Sequence, residues 1–87
     1  MIALYSKKFK KSYQKLPLKI REKFKERRNT FISNPLDPAL NIHLLHSPYI
    51  GCKSINVTGD YRAIFYHESA TIVRFIAIGT HHELFGT

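Results

Sequence analysis

Residues 52–78 read Cys52-Lys53-Ser54-Ile55-Asn56-Val57, Thr58-Gly59-Asp60, Tyr61-Arg62-Ala63-Ile64-Phe65-Tyr66, His67-Glu68-Ser69-Ala70, Thr71-Ile72-Val73-Arg74-Phe75-Ile76-Ala77-Ile78. Three runs rich in Ile, Val, Phe and Tyr alternate with turn residues, which predicts strands over 52–57, 61–66 and 71–78. The two connecting segments are short enough to be hairpin loops, so the strands should form an antiparallel meander, with a shorter strand around 43–46. Three strands alone have little to bury their apolar sides against. The rest of the chain must therefore cover one face of this sheet.

Upstream the period changes. Residues 2–5 suit a short first strand, after which Ser6 is placed to N-cap a helix running to about residue 16, with Phe9, Tyr13 and Leu16 on one face. Pro17 marks the break before a second helix, in which Ile20, Phe24 and Phe31 recur at helical spacing, and Asn34-Pro35-Leu36-Asp37-Pro38 ends it. Residues 1–30 hold eleven Lys or Arg against Glu22 and Glu26, a local charge of +9. The full chain carries +8, so residues 31–87 sum to −1. The reading is α+β: two basic N-terminal helices on an antiparallel sheet, one domain over 1–87.

At 87 residues the chain has room for one modest core. With 44% hydrophobic and 13% aromatic residues it is too apolar for a disordered basic tail. The positive charge favours a polyanionic partner, nucleic acid or an acidic protein. Cys52 is the single cysteine, so no internal disulfide forms, and no paired Cys or His spacing suggests a structural zinc. No apolar run reaches the roughly 18 residues of a membrane helix, and the N-terminus lacks a signal-peptide layout. A cytoplasmic protein without metal or cofactor is expected.

A nuclease that cuts RNA without a metal needs a base for the 2′-hydroxyl, an acid for the leaving 5′-oxygen and cations for the phosphoryl charge. The C-terminal half offers candidates for each: Asp60 in a loop, Lys53 and Arg62 on flanking strands, His81 and His82 after the last strand. A middle strand touches both neighbours, so groups at its ends can converge from distant positions. Each candidate also has a purely structural reading. Asp60 beside Gly59 suits a tight turn, His81 an exposed tail, and Arg74 a side chain snorkelling at the sheet margin. His43 and His46 read as surface or rim residues, and the helical lysines as a solvated face, although eleven cations exceed what solubility requires.

The ordered set Lys53 to Phe65, with its Gly59-Asp60-Tyr61-Arg62, and Gly79-Thr80-His81-His82-Glu83-Leu84-Phe85 resembles the RelE/ParE superfamily of bacterial toxins, and within it the YafQ-like mRNA interferases. The basic helical pair, the Asn34 to Pro38 stop and His43-Leu44-Leu45 extend the resemblance over nearly the whole chain. It implies two helices on a curved antiparallel sheet of about four strands, with a short C-terminal helix or turn. It also implies metal-independent cleavage of mRNA on the ribosome by 2′-hydroxyl attack.

By the same resemblance His81 is the general acid, with His82 the neighbouring alternative, Asp60 a base and His43 a supporting or proton-transfer group. Lys53 and Arg62 would hold the scissile phosphate. Phe85, which cannot exchange protons, would pack or stack. Asn56 stands where such proteins often carry a histidine, and Ala77 where they carry an arginine, with Arg74 the nearest substitute; Asn56, Arg74, Phe85 and His82 are therefore expected to contact substrate. Lys7, Lys10, Lys11, Lys15 and Lys23 would grip ribosomal RNA. The implied partners are a cognate antitoxin, the ribosome and mRNA, with a toxin that is monomeric alone and hetero-oligomeric with its antitoxin. A ParE-like gyrase poison and a non-catalytic nucleic-acid binder are the alternatives; the polar set Asp60, Arg62 and His81 argues against the former.

Overall fold

The computed structural model describes residues 1–86. The elements run β1 (Ile2–Tyr5), α1 (Lys7–Gln14), α2 (Leu18–Ser33), a 3-10 turn (Pro38–Leu40), β2 (His43–Leu44), β3 (Lys53–Asn56), β4 (Tyr61–His67), β5 (Ile72–Thr80) and α3 (His81–Phe85). Ser6 caps α1, its hydroxyl accepting from the Phe9 amide at 3.0 Å. Pro17, with φ −54°, occupies the cap position of α2, where its fixed φ suits the entry and its missing N–H costs nothing.

The expected meander β3–β4–β5 is present, antiparallel throughout. The sheet has five strands rather than about four, and it is mixed rather than antiparallel, in the order β1-β5-β4-β3-β2. The difference is β1, which joins β5 in parallel, with Ile2 opposite Ile72 and Tyr5 opposite Phe75. A parallel neighbour needs a long crossover, and here the α1–α2 hairpin and the meander supply it. The pairing covers the otherwise open edge of β5.

One sheet face carries the core. Phe9, Phe24 and Phe31 from the helices pack on Ile55, Val57, Ala63, Phe65, Val73 and Phe75. Phe75 is central: its ring lies 5.2 Å from Phe24, 5.5 Å from Phe65 and 5.9 Å from both Phe9 and Tyr5. The opposite face carries a smaller cluster of Cys52, Ile64 and Ala77, against which Tyr49, Leu84 and Phe85 pack. A bulge in β5 sets which of its residues join each cluster. Ile64 faces Ala77 while Phe65 faces Phe75, so Ile76 is the extra residue. Strict alternation would put Ala77 on the Phe75 face; the bulge turns it to the other side and brings Gly79 opposite Arg62.

Candidate active site

The site is built where β5 ends. Gly79 pairs with Arg62, and a Cβ on Gly79 would stand 3.1 Å from Glu83 Oε1. The bare glycine lets Glu83 fold back over the strand end. There Thr80 and Glu83 form a capping box: Thr80 Oγ1 accepts from the Glu83 amide at 3.1 Å and Glu83 Oε1 accepts from the Thr80 amide at 2.8 Å. α3 is thereby tied to the strand at its first residue, His81, whose amide also donates to the Asp60 carbonyl at 3.0 Å. Along α3 the His81 and Phe85 rings are 4.8 Å apart, and Tyr49 meets Phe85 edge-on at 6.0 Å.

The Thr80 amide and hydroxyl hold the Glu83 carboxyl below its ordinary value of 4.5. A depressed carboxylate contributes stability that is complete above the unfolded value and is lost as pH falls through the folded one. We expect α3 to loosen below about pH 4.5, seen as loss of the Thr80 and Glu83 amide protections in hydrogen exchange. Glu83→Gln should flatten this dependence; an unchanged acid profile would show that the box does not hold α3.

His43, His46, Ser54, Arg62, His81 and Phe85 line one groove of about 460 Å³ on the sheet face opposite the helices. His43 and His46 come from β2 and the loop after it, Arg62 from β4, and His81 and Phe85 from α3. The structure thus brings together four residues singled out in the sequence: His43, Arg62, His81 and Phe85. His46, read as a rim residue, lines the same groove, and so does Ser54, to which no role was assigned above. The one available signal for Ser54 was its place in the alternation Cys52, Ser54, Asn56, which runs opposite to Lys53, Ile55, Val57.

That alternation also separates residues expected to act together. Lys53 is the register partner of Phe65 and so shares the helix-side face, where it borders a different cleft with Phe31, Leu36 and Ile42. Asp60 is exposed in the β3–β4 turn; its carbonyl meets His81, but its carboxylate is not part of the groove lining. Asn56 pairs with Arg62 on the groove-side face at the far end of β3 without lining the groove, and His82 is exposed on α3. Arg74 sits near the opposite end of β5, opposite Tyr66, where Glu68 pairs with its Nε. Glu68 also raises the Arg74 pKa, so this guanidinium is engaged well away from the groove.

Of the basic residues on the helices, Lys7, Lys10, Lys11 and Lys15 are exposed, and Lys23 is bridged to Glu26 at 3.4 Å. Lys15 and Lys8 border a cleft with Tyr61 and Glu83 on the other flank of α3, while Lys10 borders a separate cleft between the helices with Lys25 and Arg28. Among the described residues no three His, Cys, Asp or Glu side chains are grouped to hold a metal ion, and no helix is long and apolar enough to cross a membrane.

No protein-family model matches the chain, and no curated protein matches it significantly in sequence. Solved structures do match. The fold is that of solved YoeB/ParE-type toxins: the YoeB/ParE toxin from Agrobacterium tumefaciens superposes with a TM-score of 0.75 at 16% identity, over 93% of this chain and 99% of that one. Within that class the chain resembles YafQ. YafQ from E. coli is 27% identical over 97% of both chains, with a TM-score of 0.81. In the E. coli DinJ-YafQ complex the matching chain is again 27% identical over 97% of both chains, with a TM-score of 0.74.

Proposed function

We propose that this chain is the toxin of a type II toxin–antitoxin pair, a single-domain cytoplasmic endoribonuclease that cuts mRNA on the ribosome. The observation that carries the reading is the groove itself, which is lined by the imidazoles of His43, His46 and His81 together with the guanidinium of Arg62. Three groups of this kind supply what phosphodiester cleavage by the neighbouring 2′-hydroxyl requires. A base removes the 2′-hydroxyl proton as the 2′-oxygen bonds to phosphorus, a cation balances the equatorial oxygens, and an acid protonates the 5′-oxygen as its bond to phosphorus breaks. The products are a 2′,3′-cyclic phosphate and a 5′-hydroxyl, and no metal enters the step.

His81, on the α3 wall with Phe85 beside it, takes the role of acid. Arg62 takes the phosphate. The base is His43 or His46 on the opposite wall, in place of Asp60, which does not line the groove. Phe85 offers a ring on which a base can stack. The exposed lysines of α1 hold ribosomal RNA through phosphate contacts. The DinJ-YafQ complex supports an antitoxin partner for this chain too, and the +9 segment suits an acidic one.

The test is induced expression in bacteria with primer extension on an abundant mRNA. Growth arrest with cuts in register with the reading frame is the expected result. Gyrase-dependent DNA damage without mRNA cuts would replace the nuclease reading with a ParE-like one. For the ribosome contact, reversing Lys10, Lys11 and Lys15 to Glu should weaken binding and reduce the slope of log affinity against log salt by about 2 to 3, since each phosphate contact contributes roughly 0.7 to 0.9. An unchanged slope would remove this surface from the interface.

A further inference from the structure

Among the described residues Ser54 is the only buried polar residue, at 0% exposure in the middle of β3. A buried hydroxyl is costly without a partner, and the partner here is the groove's guanidinium. Arg62 Nε donates to Ser54 Oγ at 2.8 Å. Arg62 Nη2 donates to the Asn41 carbonyl at 2.7 Å and to the Ser54 carbonyl at 3.3 Å. Asn41 has φ 44°, a left-handed residue closing the 3-10 turn, and this turn aims its carbonyl at Arg62.

Two features of this arrangement bear on chemistry. First, the Nε–Nη2 edge, the edge with which arginine usually forks a phosphate, is taken up by the protein, so the Nη1 end is what remains for a ligand; among the described residues Nη1 has no hydrogen-bond partner. Second, all three acceptors are neutral. Arg74 meets the carboxylate of Glu68, whereas among the described residues no carboxylate pairs with the half-buried Arg62, and burial lowers its pKa from the ordinary value. Arginine remains protonated regardless, so the site holds a partly desolvated, fixed positive charge. Such a charge interacts more strongly with an incoming anion than one that must reorganise.

We propose that Ser54 is a positioning residue: with the Asn41 carbonyl it pins one edge of Arg62 so that the Nη1 end faces the scissile phosphate. The assignment rests on the nuclease reading above. Ser54→Ala removes one oxygen and leaves the strand packing in place, so the fold should survive, as the melting temperature and amide spectrum will show. Single-turnover cleavage of mRNA on ribosomes should slow about tenfold, the scale of one hydrogen bond expressed in a barrier, with KM for the ribosome unchanged. In an Arg62→Ala background, Ser54→Ala should cause no further loss, because both changes remove the same interaction. A wild-type rate in Ser54→Ala, or a loss that multiplies with that of Arg62→Ala, would overturn the proposal. The Arg62 Nε–H resonance gives a readout independent of activity: it should be protected from exchange in the wild type and exposed in Ser54→Ala. If the wild-type chain leaves mRNA intact, the nuclease reading falls by itself. The resonance then decides whether Ser54 holds Arg62, and unchanged protection in the variant would sink the assignment.

Discussion

Replacing His81 by alanine is expected to lower ribosome-dependent cleavage by about 10²- to 10⁴-fold while leaving ribosome binding and folding nearly intact. The magnitude is that of a lost general acid, since without a proton donor the 5′-oxygen must leave as an alkoxide. The separation from folding follows from position. His81 is exposed at the first turn of α3, and the capping box that anchors the helix runs between Thr80 and Glu83 and does not use the imidazole. The loss of stability should stay on the scale of the His81–Phe85 ring contact, about 1 kcal/mol. A variant that loses binding in parallel with cleavage would place His81 in contact or support and not in proton transfer. Comparison with His82→Ala settles which neighbour acts, because His82 does not line the groove and its loss should leave cleavage close to wild type.

The largest effect on stability is expected from Phe75→Ala, at about 3 to 5 kcal/mol. Phe75 is fully buried and its ring contacts Tyr5, Phe9, Phe24, Phe31 and Phe65, which join β1, α1, α2 and β4 in one cluster. The void left by the ring has no nearby side chain free to fill it, because every neighbour is itself held by another ring. A domain of this size has about 5 to 15 kcal/mol in total, so the loss takes a large share of it. The melting temperature should fall on the order of 20 °C, and toxicity should fail through unfolding and not through chemistry. Ile50→Ala is the control: at 78% exposure Ile50 has little to lose. A Phe75→Ala protein melting within a few degrees of wild type would mean that the ring cluster does not hold the helices on the sheet.

The sequence alone was sufficient wherever local pattern and local chemistry coincide. The period-two runs and the loops Thr58 to Asp60 and His67 to Ala70 specified the meander, because hairpin pairing is set by short turns and neighbouring strands. The spacing of Phe9, Tyr13, Phe24 and Phe31 specified two helices with one apolar face each. The order of Gly59-Asp60-Tyr61-Arg62 and Gly79-Thr80-His81 pointed to the toxin fold that the solved structures share.

Only the tertiary structure decided which face of the sheet carries the groove and which residues from other segments reach it. A strand sends successive side chains to opposite sides, so Lys53 and Ser54, adjacent in sequence, lie on different faces of the sheet, and only Ser54 reaches the groove. The bulge at Ile76 shifts the phase of β5 by one residue, which no strict alternation rule would anticipate. The parallel pairing of β1, the delivery of His43 and His46 to the groove from a two-residue strand and its loop, and the Asn41 carbonyl on Arg62 all join residues far apart in the chain. Such contacts depend on how the helices and the sheet dock, and docking is decided by the packed core as a whole and not by any local segment.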